Sequence, residues 1–245
     1  MREEPSPEDT PTSSRPPRRI NWRVAVPFLA LALVVSAVLF IAAGTLDWPM
    51  AWIYVAISLG FQFGSRIVLL RLNPGLAAER SHSLAANDAK EWDKTLMPIV
   101  AIYGPLLSMI LAGLNRRFGW PPEVPLAVQV TGLLVMVLGG AFSTWAMLSN
   151  RFFSATVRIQ RDRGHAVFTG GPYRFVRHPG YLGGIVANLV PPLALGSLWA
   201  LVPGALTAGL TVLRTALEDR VLLAELPGYP EYAGRTRYRL IPGVW

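Results

Sequence analysis

GYLGGIVANLVPPLALGSLWALVPGALTAGLTVL, residues Gly180–Leu213, carries no charged side chain, and basic residues stand close on either side of it. Four shorter stretches share this property: those between Arg23 and Asp47, Asp47 and Arg66, Lys94 and Arg116, and Glu123 and Arg151. A bilayer core is crossed by about 20 consecutive, mostly apolar residues. Each of the four shorter gaps therefore suits one crossing, and Gly180–Leu213 suits two short arms. Buried helices of soluble proteins are usually ~10–14 residues long and bounded by charge, which these are not. The pattern predicts an all-α, polytopic transmembrane helix bundle of five to six membrane segments, the last region a helical hairpin.

Composition agrees. Hydrophobic residues make up 52% of the chain and charged residues 16%, against about 25% charged in soluble domains. The net charge of +8 is carried almost wholly by arginine. Those arginines flank apolar runs instead of forming one basic face, which points to membrane topology and away from nucleic acid. With no cysteine there is no disulfide, thiolate metal site or cysteine nucleophile. The three histidines lack a metal-binding spacing, so no metal is expected. Neither a Walker loop nor a G-x-G-x-x-G occurs. The excess of arginine over lysine, with abundant Ala, Gly and Pro, suits a GC-rich bacterial gene and hence a bacterial inner membrane.

Residues 1–19, rich in Pro, Ser, Thr and Glu, read as a disordered tail. Residues 20–148 then hold the N-terminal transmembrane helices, and 149–245 form a C-terminal catalytic unit. Val24–Ala43 is longer than a signal-peptide core and lacks a good cleavage site after it, so it reads as a retained first helix. The following spans are expected at Trp48–Leu70, Thr95–Leu114 and Val124–Leu148. Residues 71–95 read as a polar loop in which His82 is solvated, and Pro98 and Pro105 predict kinks in the third span. In the hairpin, Pro191–Pro192 and Gly196–Ser197 are the expected interruptions. Arg214–Leu226 is charged and periodic and reads as a helical continuation.

Lys and Arg cluster in the tail, the 71–95 loop, the 149–178 segment and the C-terminus, while the 44–49 turn and the hairpin tip carry none. Both termini are therefore expected in the cytoplasm, with Arg116 and Arg117 as one violation in a short loop.

The densest chemistry is GGPYRFVRHPGYLGG, Gly170–Gly184. Gly170 and Gly171 let the backbone approach a ligand. Arg174, Arg177 and His178 can donate to anions, and Tyr173 and Tyr181 offer rings with hydroxyls. A basic membrane flank with a helix start at Pro179 accounts for the arginines, but not for His178, Tyr181 and the glycines together. At the far end of the hairpin stand Arg214, Glu218, Asp219 and Arg220. Arg214 and Glu218, one helical turn apart, can pair, as in an ordinary salt-bridged interfacial helix. The carboxylates could also receive a cation or sugar hydroxyls. NRFFSATVRIQRDRGH, Asn150–His165, reads as a basic loop that could cover a pocket.

GPYRFVRHPGYLG (Gly171–Gly183), an apolar hairpin, LEDRVL (Leu217–Leu222) and PGYPEYAGRTRYRLIP (Pro227–Pro242) together resemble the isoprenylcysteine carboxyl methyltransferase family, which is related to membrane phospholipid methyltransferases. The family signature R-H-P-x-Y-x-G is met at Arg177, His178, Pro179, Tyr181 and Gly183. The resemblance covers about residues 149–245. It departs at Asp219, where glutamate is usual, and in the tyrosine spacing after Gly228.

The resemblance implies a cytoplasm-facing pocket for S-adenosylmethionine and methyl transfer to a lipophilic acceptor entering from the bilayer. The acceptor is then a prenylcysteine-like carboxylate or a phospholipid amine. The implied cofactor residues are Gly171, Tyr173, Arg177, His178, Tyr181, Gly183, Glu218 and Asp219, with His178 and Glu218 as the catalytic pair. An amine acceptor would make His178 the candidate base. The expected partners are that lipophilic substrate and membrane lipids, not nucleic acid. Two alternatives stay open: a membrane-embedded NADPH-dependent sterol-type reductase, and a non-enzymatic lipid-binding or transport protein. The charge-free spans count against a transporter, which usually carries an ionisable residue in mid-span.

Overall fold

The computed structural model describes residues 22–83 and 88–245. The 1–19 tail and the side chain of His82 lie outside the described residues. Nine α-helices follow one another among the described residues: α1 Trp22–Ala43, α2 Pro49–Leu72, α3 Pro74–Ser83, α4 Glu91–Pro98, α5 Gly104–Phe118, α6 Leu126–Ser149, α7 Pro179–Ala194, α8 Leu201–Glu225 and α9 Tyr229–Arg235. A π-helical turn, Ile99–Tyr103, joins α4 to α5. Short 3-10 turns occupy Arg161–Arg163 and Gly171–Arg174. There is no strand among the described residues.

Three helices are long and apolar enough to cross a bilayer: Pro49–Leu72, Leu126–Ser149 and the continuous run Glu91–Phe118. Their outer faces expose large apolar side chains such as Ile53, Ile67, Leu134 and Leu138. That pattern suits lipid, which solvates apolar side chains, and would be costly in water.

Each start and stop has a local cause. α2 and α7 open on Pro49 and Pro179, where the missing N–H has no intrahelical partner to lose. α5 ends at Gly119, whose φ of +64° lies in the left-handed region. The kinks expected at Pro98 and Pro105 take the form of the π-helical turn between them, closed by the Gly104 N–H donating to the Ile99 carbonyl. Neither proline supplies an N–H, and the wider turn absorbs the lost bonds without breaking the helix.

Two expectations need correction. The 71–95 segment is not all loop, because Pro74–Ser83 is helical; the Asn73 side chain accepts the Leu76 N–H at 3.0 Å and caps that start. Nor do Pro191 and Pro192 interrupt the hairpin, since α7 runs through them to Ala194. Pro192 leaves the Asn188 carbonyl without its usual helical donor. Gly204 of α8 packs on that carbonyl so closely that a Cβ there would lie 2.6 Å from it.

The reversal comes at Gly196, φ +73°. Its neighbour Ser197 donates to Asn115 of α5 at 2.7 Å, and the Trp199 indole donates to the Pro121 carbonyl at 2.9 Å. The tip of the hairpin thus reaches the same end of the bundle as the α5–α6 turn. α7 packs against α6 and α8, and α1 against α5. The hairpin returns along α8 to the end from which it left, so His178 and Glu218 come together.

Candidate functional site

The site is assembled at the base of the hairpin. Arg177 and His178 are held in place by the C-terminal segment: their N–H groups donate to the Tyr238 and Arg239 carbonyls, each at 2.9 Å. The 3-10 turn ahead of them is fixed by the Tyr232 hydroxyl, which donates to the Tyr173 carbonyl at 2.6 Å. Tyr173, Tyr229, Tyr232, Leu226 and Ala146 form the apolar cluster beneath.

Glu218 and Asp219 are neighbours on α8, but about 100° of helical rotation sends them to different surroundings. Asp219, on the charged extension of α8, is wholly buried. Its Oδ1 accepts from the Tyr229 hydroxyl at 2.8 Å and lies 3.1 Å from His178 Nε2. Its Oδ2 accepts from Arg239 Nε at 2.7 Å, and Arg177 Nη2 stands 3.3 Å away. Burial alone would raise the Asp219 carboxyl, but hydrogen bonds from His178 and Arg239 outweigh it and hold the group well below the usual carboxylate range. Tyr229 moves the other way, pushed up by burial and then by the Asp219 charge. A proton on Nε2, the His178 nitrogen that faces this carboxylate, is the one that bonds to Asp219. Two arginines around one carboxylate leave an excess of positive charge. Arg177 Nε is buried without a hydrogen-bond partner.

Glu218 instead lines an open cavity and accepts a hydrogen bond from the Tyr181 hydroxyl. The pairing of Arg214 with Glu218 expected from their spacing does not form. Arg214 grips Asp93 of α4 in a bidentate pair, Nε to Oδ1 at 2.6 Å and Nη2 to Oδ2 at 3.0 Å. The wholly buried Asp93 gains two bonds from a planar guanidinium, which a single i,i+4 contact with the half-buried Glu218 does not match.

The cavity has a volume of about 630 Å³. Arg177, His178, Tyr173, Tyr181, Glu218 and Tyr229 line its polar end. Gly171, Gly183 and Asp219 are not among the lining residues. Gly183 lies at the α6–α7 contact, where a Cβ would stand 2.5 Å from Ser143 Cβ. Gly171, φ +55°, backs onto Ser149. The 150–160 segment forms one wall, as a loop over a pocket would. It is stitched down by the Val157 N–H to Asp93 at 2.7 Å, by Arg214 to the Ala155 carbonyl at 2.8 Å, and by Arg158 to Glu79 at 2.7 Å.

From this end the cavity continues between α2 and the π-helical turn, past Phe63, Arg66, Val100 and Ile102 to Asn188 and Thr211. Arg80 of α3 also lines it, over the Phe153 ring at 5.2 Å. Burial, and then the neighbouring Arg66 charge, push the Arg80 guanidinium down to about 10. Asp93, Arg66 and Arg80 had no site signal in the sequence: Arg66 lies inside an apolar span, Arg80 and Asp93 in the polar 71–95 segment, and no motif surrounds any of them. Arg239 and Tyr229 were legible only as members of the tyrosine- and arginine-rich tail. No group of His, Cys, Asp and Glu able to hold a metal occurs among the described residues.

Residues 131–224 match the model of the isoprenylcysteine carboxyl methyltransferase (ICMT) family. Two curated relatives, each a probable protein-S-isoprenylcysteine O-methyltransferase, from Oryza sativa subsp. indica and subsp. japonica, are 33% identical over 60 residues. That stretch is 24% of this chain and covers 31% of the length of each relative. The family match takes in His178, Tyr181, Glu218 and Asp219, and leaves out Asp93, Tyr229 and Arg239.

Proposed function

We propose, from the ICMT-family match over the hairpin, that this chain is an integral membrane methyltransferase. It moves a methyl group from S-adenosylmethionine to a lipophilic acceptor, at a cavity mouth on the cytoplasmic side. The observation that carries this reading is the form of the cavity. A polar, charged end at His178 and Glu218 runs without a break into an arm bounded by α2 and α4–α5, two of the helices fit to cross a bilayer.

The residues fit the donor. S-adenosylmethionine is a zwitterion with a sulfonium cation, a carboxylate and an adenosine. The excess positive charge at Arg177 and Arg239, and the unpartnered Arg177 Nε, suit its carboxylate. Glu218, with its remaining lone pairs, suits an amine or ribose hydroxyls, and the Tyr173, Tyr181 and Tyr229 rings suit adenine and the sulfonium. When bound, the donor supplies a methyl group on a sulfur leaving group. The chain's own part is placement: Arg177, His178 and Glu218 fix one partner, the second arm fixes the other, and the 150–160 wall excludes water.

Arg66 and Arg80 along that arm favour a carboxylate acceptor over an amine, because two cations repel a protonated amine and attract an anion. A carboxylate needs no general base. His178, tied to Asp219, then acts by holding position and charge.

Calorimetry on the detergent-purified chain tests the donor. Heat with S-adenosylhomocysteine and none with NADPH is expected, and the reverse would favour the reductase. Methyl transfer from labelled S-adenosylmethionine to a prenylcysteine analogue, and not to phosphatidylethanolamine, tests the acceptor.

A further inference from the structure

Within this methyltransferase reading, on which the argument rests, we infer that Asp93 is a positioning residue that keeps Arg214 away from Glu218 and so preserves a free negative charge in the cavity. Asp93 lies outside the stretch that matches the family, on the first turn of α4. It is 121 residues from Arg214 in the chain.

Three relationships support it. Arg214 and Glu218 are one turn apart on α8, a spacing at which Arg and Glu side chains reach each other. Both line the cavity, with Tyr181 between them: the Arg214 guanidinium stands 5.1 Å from the Tyr181 ring centre, and the Tyr181 hydroxyl donates to Glu218. Yet Arg214 turns its Nε–Nη2 edge to Asp93, at 2.6 and 3.0 Å, and Nη2 also donates to the Ala155 carbonyl at 2.8 Å. Arg214 is thus neutralised from behind. Among the described residues the one hydrogen bond to the Glu218 carboxylate comes from the Tyr181 phenol, and Arg214 acts on it only through space, which leaves lone pairs for a cationic or hydroxyl-bearing ligand.

Asp93 is suited to this work. It is wholly buried, it accepts the Val157 N–H at 2.7 Å as well, and its place at a helix N-terminus favours a carboxylate. Besides Asp93, the carboxylate that acts on the buried Arg214 guanidinium is Glu218, and it is the partner left when the Asp93 charge is removed.

The experiment compares S-adenosylhomocysteine affinity in the parent, Asp93→Asn, Arg214→Gln and the double variant, with thermal unfolding measured alongside. Both single changes break the same ion pair. If the pair were only a strut, they would weaken binding alike. On this inference Asp93→Asn releases a cation onto Glu218 and weakens binding by about tenfold or more, the size expected when a charged hydrogen bond to the ligand is lost. Arg214→Gln, which releases none, costs distinctly less. The double variant recovers to the level of Arg214→Gln, because the competing cation is gone. Equal losses in the two single variants, or a double variant as weak as Asp93→Asn, would overturn it. Should Asp93→Asn fail to fold, recovery of a folded, binding state in the double variant is the expected result and its failure the overturning one. A parent that binds no S-adenosylhomocysteine overturns the methyltransferase reading as well; a binding parent indistinguishable from Asp93→Asn overturns this inference alone.

Discussion

His178 and Asp219, 41 residues apart in the chain, meet at 3.1 Å at the base of the hairpin. Around the same carboxylate gather Tyr229, Arg239 and Arg177. Glu218, the adjacent residue, faces the cavity. Two neighbouring acids therefore have different surroundings: Asp219 ties the site together, and Glu218, on the proposed function, is the one offered to a ligand.

Asp219→Asn is expected to destabilise the folded chain by about 3–5 kcal/mol, the usual cost of breaking a buried ion pair and leaving its partners charged. Glu218→Gln keeps the Tyr181 contact through its amide oxygen and should cost less than about 1 kcal/mol. Thermal unfolding in detergent compares them, and a larger loss in Glu218→Gln would refute the division of labour.

Ligand binding should respond to His178 and Glu218. His178→Ala and Glu218→Gln are each expected to weaken S-adenosylhomocysteine binding about tenfold to a hundredfold. Arg161→Ala, an exposed arginine of the 150–168 segment, is the control and should bind nearly as the parent does. The opposite ranking would place the donor elsewhere.

Arg80 tests the second arm. Arg80→Met should raise KM for a carboxylate acceptor by about tenfold, the value of one charge-assisted contact. Donor affinity should move by less than about threefold. A change confined to the donor would show that Arg80 belongs to the other end of the cavity.

Stability should depend on pH through His165. Burial first, then the Arg158 and Arg163 charges, lower its value to about 4. The unfolded chain, with an ordinary histidine near 6.5, binds the proton more readily, so stability is full above about pH 6.5 and falls as pH drops toward 4. The melting temperature of the parent should decline over that window. His165→Asn, which keeps an acceptor for the Gln160 N–H, should flatten the decline. An equal slope in both would remove His165 as the cause.

Topology is open to reporter fusion. A reporter after Trp245 should read cytoplasmic, and one placed in the Gly196–Ser197 turn should read from the opposite side. A C-terminal signal from outside would invert the bundle.

The sequence by itself determined where the long apolar helices run, though not the short helix Pro74–Ser83. Trp48–Leu70 was expected and Pro49–Leu72 is found; Val124–Leu148 was expected and Leu126–Ser149 is found. Apolar length is a sum over neighbouring residues, and a bilayer reads that sum without reference to the rest of the chain. The motif Arg177–Gly183 and the pair Glu218–Asp219 were legible for a similar reason, since the hairpin between them must leave and return. Only the tertiary structure decided which partner each charge takes. Local spacing pairs Arg214 with Glu218, whereas the fold gives Arg214 to Asp93, and it turns Glu218 and Asp219 to different neighbours. A buried charge is settled by the strongest geometry within reach in three dimensions, and reach in three dimensions is set by how α4, α8 and the C-terminal segment pack together.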